Sequence, residues 1–307
     1  MPALTSSFEN ALDILACPLC GNRFEFTGNT LVCTSGHSFD ISRKRFVTML
    51  TGGGTRMRSD TPEMLSARSR VLASPFFFPA LATVADMIAQ LPLVGERLAV
   101  ADIGAGTGQY LAAVIRRLAS DRPTSDVRGV GLDLSKHAAR MIASMDAAVS
   151  AIVADAWARL PLADSSVEVV LSVFAPRNVK EFRRVITEDG HIVMVTPTPR
   201  HLQEITTPMG MLSVDDGKAE RLAAVMSEDF TPASEELVEY HRTLGVSEIE
   251  DLVAMGPSAF HLSPDQIAAR AAELGHTNVT LSLVVSVFSP RPRVAADLGG
   301  DQRDERA

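Results

Sequence analysis

One short run constrains this chain more than any other. Leu98–Ile103 is an apolar stretch of strand length that runs into Asp102-Ile103-Gly104-Ala105-Gly106-Thr107-Gly108-Gln109. Gln109–Ala119 then repeats apolar residues at helical spacing, with Leu111, Val114, Ile115 and Leu118 on one face. A strand that turns into a helix through three glycines uses backbone that glycine alone adopts freely. It also lets a ligand come close to the main chain. The G-x-G-x-G spacing differs from the dinucleotide fingerprint G-x-G-x-x-G, which disfavours a nicotinamide enzyme.

The surrounding chain alternates strand and helix patterns. Glu63–Leu72 and Pro79–Gln90 read as helices before the first strand. After the glycine loop come a strand at Val127–Leu134, a helix at Lys136–Met145, and strands at Ala151–Ala154 and Val167–Phe174. A helix at Val179–Ile186, a strand at His191–Thr196 and a helical segment at Lys218–Met226 follow. Late strands at Leu237–Leu244 and Val279–Phe288 flank helices at Ser247–Met255 and Pro264–Leu274. Such alternation, with nearly continuous apolar strands, predicts a mostly parallel sheet covered on both faces. The second strand ends at Asp133, placed to accept hydrogen bonds from both hydroxyls of a ribose. Asp155 follows the third strand, within reach of an adenine amino group. The ordered set points to S-adenosylmethionine (SAM) as the ligand and to an α/β class I SAM-dependent methyltransferase fold, Rossmann-like with seven strands.

The other chemistry lies at the N-terminal end. All three cysteines fall within the first 33 residues, an odd number that makes a poor disulfide framework. Cys17-Pro18-Leu19-Cys20 puts two thiols on one tight turn, and Cys33 and His37 form a second pair. Cys17, Cys20, Cys33 and His37 make a closed Cys₃His set, suited to structural zinc with no position left open for catalysis. With short strands at Arg23–Phe26 and Leu31–Val32 the segment reads as a zinc ribbon, too small to fold without the metal.

The expected organisation is a zinc-ribbon RNA-recognition module over 1–54, a basic linker and helices over 55–97, a methyltransferase domain over 98–290 and a disordered tail over 291–307. Within it, residues 51–62 are Gly-rich and basic, as a linker would be. The formal net charge of −8 speaks against a nucleic-acid partner, but its distribution speaks for one. Arg43, Lys44, Arg45, Arg56, Arg58, Arg68 and Arg70 gather between residues 40 and 70 against only Asp40, Asp60 and Glu63. No leader pattern and no long apolar run are present, so a cytoplasmic protein without a membrane span is expected.

Taken together these features closely resemble the RlmA-type 23S rRNA guanine-N1 methyltransferases, from about Leu15 to about Pro290. The resemblance rests on CPLC with C-x-x-x-H, HSFD followed by RFVTML, DTPEMLSAR, DIGAGTGQY, GLDLSKHA, FAPRNVKEFRRV, TPTPRHLQE and VAMGPSAF. It implies a structural zinc on Cys17, Cys20, Cys33 and His37, and SAM bound at Gly104, Gly106, Thr107 and Gly108. It implies a guanine substrate in a large-subunit rRNA hairpin beside the peptide exit tunnel. Some members protect macrolide producers, so a resistance role is also implied. His201 matches a family histidine near the cofactor, and Phe77 stands where the family has a tyrosine, so only packing is inherited there. The chain has Ala105 and Thr107 where the family often has cysteine and an acidic residue.

Guanine N1 carries a proton that must leave before or during attack. The loop after the fourth strand, Phe174-Ala175-Pro176-Arg177-Asn178, sits where base-modifying methyltransferases place an acidic or amide residue before Pro-Pro-aromatic, and that residue is absent. The carbonyls of Ala175 and Pro176, with Asn178, are the candidates for positioning the guanine edge, and Phe174 or Arg177 for stacking on it. No general base is identifiable. The commonest symmetry, a two-fold homodimer, would set two ribbons around one hairpin. Two other readings fit parts of the sequence: a small-metabolite methyltransferase whose ribbon contacts a protein, and a catalytically dead adaptor. The intact glycine loop with Asp133 opposes the second of these.

Overall fold

The computed structural model describes residues 6–51, 58–212 and 224–293. Residues 52–57 of the expected Gly-rich linker, residues 218–223 of the helical segment expected over Lys218–Met226 and residues 294–307 of the tail fall outside these residues. A three-stranded antiparallel sheet, β1 (Phe24–Thr27), β2 (Thr30–Cys33) and β3 (Ser38–Asp40), follows a short helix α1 (Ser6–Glu9). The main sheet has eight strands in the order β10-β11-β9-β8-β5-β6-β7-β4. Its members are β4 (Phe46–Thr48), β5 (Arg97–Ile103), β6 (Asp126–Asp133), β7 (Val149–Val153), β8 (Val167–Val173), β9 (Ile186–Pro197), β10 (Phe230–Leu244) and β11 (Thr277–Pro290). β4 to β9 pair in parallel, and β11 and β10 add antiparallel at one edge.

Helices connect the strands and start where local chemistry allows. Thr61 accepts the Met64 N–H and Pro62 occupies the first turn of α2 (Pro62–Leu72). Ser135 caps α5 (Lys136–Met145), and Ser263 with Gln266 forms a reciprocal capping box on α9 (Pro264–Leu274). Other α-helices among the described residues include α3 (Phe78–Ala89), α4 (Gln109–Asp121), α6 (Val179–Val185), α7 (Gln203–Met209) and α8 (Val246–Ala254).

The expected seventh strand count is exceeded by one, because Phe46–Thr48 joins the sheet edge beside β7. Met49 extends the join, its N–H donating to the Val153 carbonyl at 2.8 Å. Alternation along β5 explains why. Leu98 and Val100 face a core with α3, α4 and α5, while Ala99, Ala101 and Ile103 face the opposite side. On that side no helix joins β7 to β8, and the cover comes from Phe182 and Val185 of α6 and from Phe8, Ile14, Leu15, Leu31 and Val47. The N-terminal segment therefore stands in for a missing helix layer. Two further ties hold it: the Ala16 N–H donates to the Pro161 carbonyl at 3.2 Å, and the Ala163 N–H to the Ile14 carbonyl at 2.7 Å.

Candidate active site and metal centre

From β5 the chain winds one way to β6 and β7 and then returns to β8 and β9 on the other side. Ligands of doubly wound sheets sit in the crevice at such a reversal, beyond the carboxyl ends of the strands. The glycine loop leaves β5 at that point and residues 174–178 leave β8 beside it.

Gly104, Gly106 and Gly108 all adopt left-handed backbone, with φ of +80°, +55° and +84°. The N–H groups of Gly104 and Ala105 donate to the Leu132 carbonyl at 2.8 and 2.9 Å. A Cβ placed on Gly104 would come 2.6 Å from Ala175 Cβ, so the two loops touch with no room for a side chain. The Gly106 N–H donates to Asp133 Oδ2 at 2.9 Å, and Ser135 N–H to Oδ1 at 2.8 Å. Burial raises the Asp133 carboxyl above its ordinary range while these two donors pull it back. A carboxylate offers about four acceptor positions, so positions remain for ribose hydroxyls. Thr107 is buried and its hydroxyl donates to Gln109 Oε1, so that proton is used inside the loop.

Beneath the loop lies Asp102, fully buried, whose Oδ1 has no partner among the described residues. Burial, helped by the charge of Asp133, pushes its carboxyl up to about 8. Above the loop lies Arg68 of α2. Its Nη1 donates to Asp60 Oδ2 at 2.6 Å and its Nη2 to the Met255 carbonyl at 2.7 Å. That Nη1 would be 3.1 Å from a Cβ on Gly106. Gln109 Nε2 donates to the Ser69 carbonyl at 3.1 Å, so α2 is fastened to the glycine loop. Sequence reasoning missed the contacts of Arg68 and Ser69 with this loop, because nothing in α2 signals contact with a loop more than thirty residues downstream.

An aromatic run leads from the core to the rim. Phe77 is fully buried and meets His201 edge-on at 6.3 Å, and His201 lies nearly parallel to Phe174 at 6.2 Å. His201 Nδ1 accepts the Ser282 N–H at 3.3 Å, which places the proton of the neutral ring on Nε2. Burial lowers His201 to about 4 against the opposing pull of Glu204, so the ring is neutral at physiological pH. Phe76 is core, whereas Phe78 is exposed. Phe174 itself is half-exposed and holds a left-handed φ of +53°, uncommon for a bulky residue.

Asn178 ties this loop to the next. Its Nδ2 donates toward the carbonyls of Ala156, Trp157 and Ala158 at 3.2, 3.1 and 3.4 Å. The Nδ2 group of Asn178, a candidate for positioning the guanine edge, is thus bonded within the protein. Asp155 Oδ1 accepts the Trp157 N–H at 2.9 Å. Trp157, the only tryptophan of the chain, is exposed on that tied loop. Arg177 is partly buried, and burial alone lowers its pKa.

The metal centre assembles from two knuckles. Gly21 and Gly36, at φ of +77° and +84°, close turns in which the Gly21 N–H donates to the Cys17 carbonyl and the Gly36 N–H to that of Cys33. Ligand atoms of Cys17, Cys20, Cys33 and His37 lie within 4.8 Å of one another. Cys33 Sγ is 3.4 Å from His37 Nδ1, Cys17 Sγ is 3.5 Å from it, and Cys20 Sγ is 3.6 Å from Cys33 Sγ. Zn–S near 2.3 Å and Zn–N near 2.0–2.1 Å at tetrahedral angles give edges of roughly 3.5–3.8 Å, so the donor set fits zinc. Burial raises the Cys17 thiol to about 11, while the Asn22 backbone N–H and other donors bring exposed Cys20 down to about 6. A dication at the centre would hold all three as thiolates.

The chain is 40% identical over 294 residues to a protein of Micromonospora griseorubida named as a putative 23S rRNA (guanine-N(1)-)-methyltransferase, covering 91% of this chain and 97% of that one. The chain belongs to the 23S rRNA (guanine-N1)-methyltransferase family. The methyltransferase is also 36% identical over 285 residues to the 23S rRNA (guanine(748)-N(1))-methyltransferase of Streptomyces fradiae, covering 92% and 99% of the two chains. Family models match at residues 15–51, described as RlmA, N-terminal, and at 101–194, described as a methyltransferase domain. Among solved structures, a loganic acid methyltransferase superposes with a TM-score of 0.50 at 9% identity, over 80% of this chain and 99% of that one, a likeness of fold alone. The methyltransferase takes SAM as its methyl donor and carries structural zinc in its ribbon.

Proposed function

We propose that this methyltransferase modifies N1 of one guanine in a hairpin of 23S rRNA beside the peptide exit tunnel, in the cytoplasm, and that the methyl group protects the ribosome against macrolides. The observation that carries the reading is the contact between the glycine loop and the 174–178 loop, at the reversal of strand order, in a chain with such relatives. The names of the relatives supply the target atom and the RNA.

When bound, SAM supplies a methyl group on a sulfonium. The main chain at Gly104, Gly106, Thr107 and Gly108 lets that cofactor approach, with Asp133 and Asp155 placed for its ribose and adenine. Phe77 and neutral His201 give it an apolar and uncharged wall, which suits a cationic sulfonium better than an imidazolium would. Phe174, half-exposed at the rim, is placed to stack on a base drawn out of its hairpin. Ala175 and Pro176 abut Gly104, and in this reading their carbonyls take the guanine edge. Holding donor and nucleophile at attack distance is the largest contribution such a site makes. A two-fold dimer would set two ribbons around the hairpin, and the mass in solution tests that part.

The test is reverse transcription of 23S rRNA incubated with the protein and SAM. A methyl on N1 blocks the pairing edge and stops the polymerase. The expected result is a new SAM-dependent stop at one hairpin guanine, and macrolide tolerance in a sensitive host that expresses the protein. Absence of any stop on both deproteinised rRNA and ribosomal subunits, with SAM binding intact, overturns the substrate assignment.

A further inference from the structure

Apart from Arg177, the partly or fully buried arginines around the sheet each hold at least one carboxylate or carbonyl acceptor, although Arg128 Nε and Arg183 Nη1 are buried without a hydrogen-bond partner among the described residues. Arg68 holds Asp60 and the Met255 carbonyl, and Arg128 holds Asp13 and the Asn10 carbonyl. Arg183 holds Glu188 and the Arg291 carbonyl, and Arg184 holds Glu181 and Asp164. Arg177 differs. It lies two residues from Ala175, the residue that abuts Gly104, and it has no acceptor among the described residues. None of its nitrogens is among the buried atoms without a partner, so its donors stay open to solvent. A guanidinium with solvent-accessible donors and no acceptor among the described residues, on the loop that abuts the cofactor glycines, is available to an acceptor that arrives with the substrate.

The chemistry of the target says which acceptor. A guanidinium fork matches the O6 and N7 atoms of guanine, two acceptors side by side on one edge. O6 is also where negative charge gathers when N1 loses its proton. The loop offers no carboxylate to take that proton. Glu181 is bound to Arg184 and the Leu160 N–H, and Asp102 is buried beneath the glycines. We infer that Arg177 reads the O6/N7 edge of the target guanine and, by holding O6, stabilises the anion formed as N1 gives up its proton to water. N1 then bonds to the methyl carbon as the carbon–sulfur bond breaks, and the bonding pair stays on sulfur. This assignment rests on the guanine-N1 reading above. It makes Arg177 both a specificity element and the group that replaces a general base.

The experiment uses a synthetic substrate hairpin with either guanosine or 7-deazaguanosine at the target, where the N7 acceptor is replaced by C–H. Single-turnover methylation is measured for the full-length protein, Arg177→Ala and Arg177→Lys, with SAM affinity measured separately. The analogue is expected to slow the unaltered protein about 10-fold or more, the scale of one bidentate base contact. Arg177→Ala should be slow on guanosine, show no further loss on the analogue, and keep its SAM affinity. Arg177→Lys, which retains charge but not the fork, should fall between. Equal slowing of the unaltered protein and Arg177→Ala by the analogue, or no slowing of the unaltered protein, overturns the inference. Should Arg177→Ala fail to fold, the lysine variant and the analogue on the unaltered protein still decide it. Failure of the unaltered protein to methylate both the guanosine hairpin and full 23S rRNA instead defeats the guanine-N1 reading on which the inference stands.

Discussion

At the scale of single residues, the site depends on atoms that are missing or unpaired. Gly104 lacks a Cβ where one would lie 2.6 Å from Ala175 Cβ, and its φ of +80° disfavours any side chain. Left-handed backbone costs a non-glycine residue roughly 1–2 kcal/mol, and the collision adds to it. Gly104→Ala should therefore bind SAM at least about tenfold more weakly while keeping its zinc, measured by calorimetry and metal analysis; unchanged SAM affinity would contradict the close approach of the loops. Asp102 supplies a second test. Its folded carboxyl titrates near 8, mainly through burial, against about 3.9 for an unfolded chain. The folded state thus holds a proton that the unfolded state releases. The stabilisation is complete below about pH 4 and is lost as pH rises through about 8. Asp102→Asn cannot ionise. In the absence of SAM, the melting temperature of the unaltered protein should fall relative to the variant between pH 5 and pH 9, with the two converging at the acid end. Parallel curves would mean that Asp102 is already ionised in the folded protein.

At the scale of elements, the N-terminal segment is a layer of the methyltransferase. Phe8, Ile14, Leu15 and Val47 pack in one cluster with Ala101, Val130 and Ile152 of the main sheet, and β4 extends that sheet. Residues 58–307 expressed alone should be insoluble or loosely packed, because the part of the sheet face that α6 leaves uncovered would meet water. Stripping zinc from the whole protein should raise hydrogen exchange in β4 as well as in the ribbon, since Cys17 follows directly on the tie at Ala16. Exchange confined to residues 17–40, with β4 protected, would show that the two are uncoupled. This layer was not legible in the sequence. Phe46-Val47-Thr48 is too short to carry a period, and its partner β7 lies a hundred residues away. Helix α7 was hidden for another reason: it contains Pro208 and starts after Leu202 in left-handed backbone. The glycine loop, Asp133 and the four ligands at Cys17, Cys20, Cys33 and His37 were legible because turn geometry and metal coordination demand those residue types at those spacings. The partners of the loop were not, since Arg68 and Ser69 reach it only through tertiary packing.

At the scale of the whole molecule, the question is which surface meets a polyanion on a chain of net charge −8. The basic run between residues 40 and 70 suggested that segment, but the structure uses much of it internally. Arg45 donates to the Ala143 carbonyl, Arg58 lies 4.4 Å over the Phe260 ring, Arg68 holds Asp60, and Arg70 holds Asp251 through two bonds. Arg43 and Lys44 remain exposed and have no acidic partner among the described residues. Arg45 fastens their turn to α5, and α5 presents Lys136 and Arg140 one turn apart, exposed and likewise without an acidic partner among those residues. These four cations come from the ribbon end and from the helix to which Arg45 ties it. Four phosphate contacts give a slope of about 3 in the logarithm of affinity against the logarithm of salt, whereas the seven basic residues of the run would give about 5–6. Binding of the proposed rRNA hairpin should follow the shallower slope. Replacing Lys136 and Arg140 with glutamine should lower it by between one and two while leaving SAM affinity unchanged. A slope near 5–6, or one indifferent to Lys136 and Arg140, would return the RNA to the ribbon and its linker.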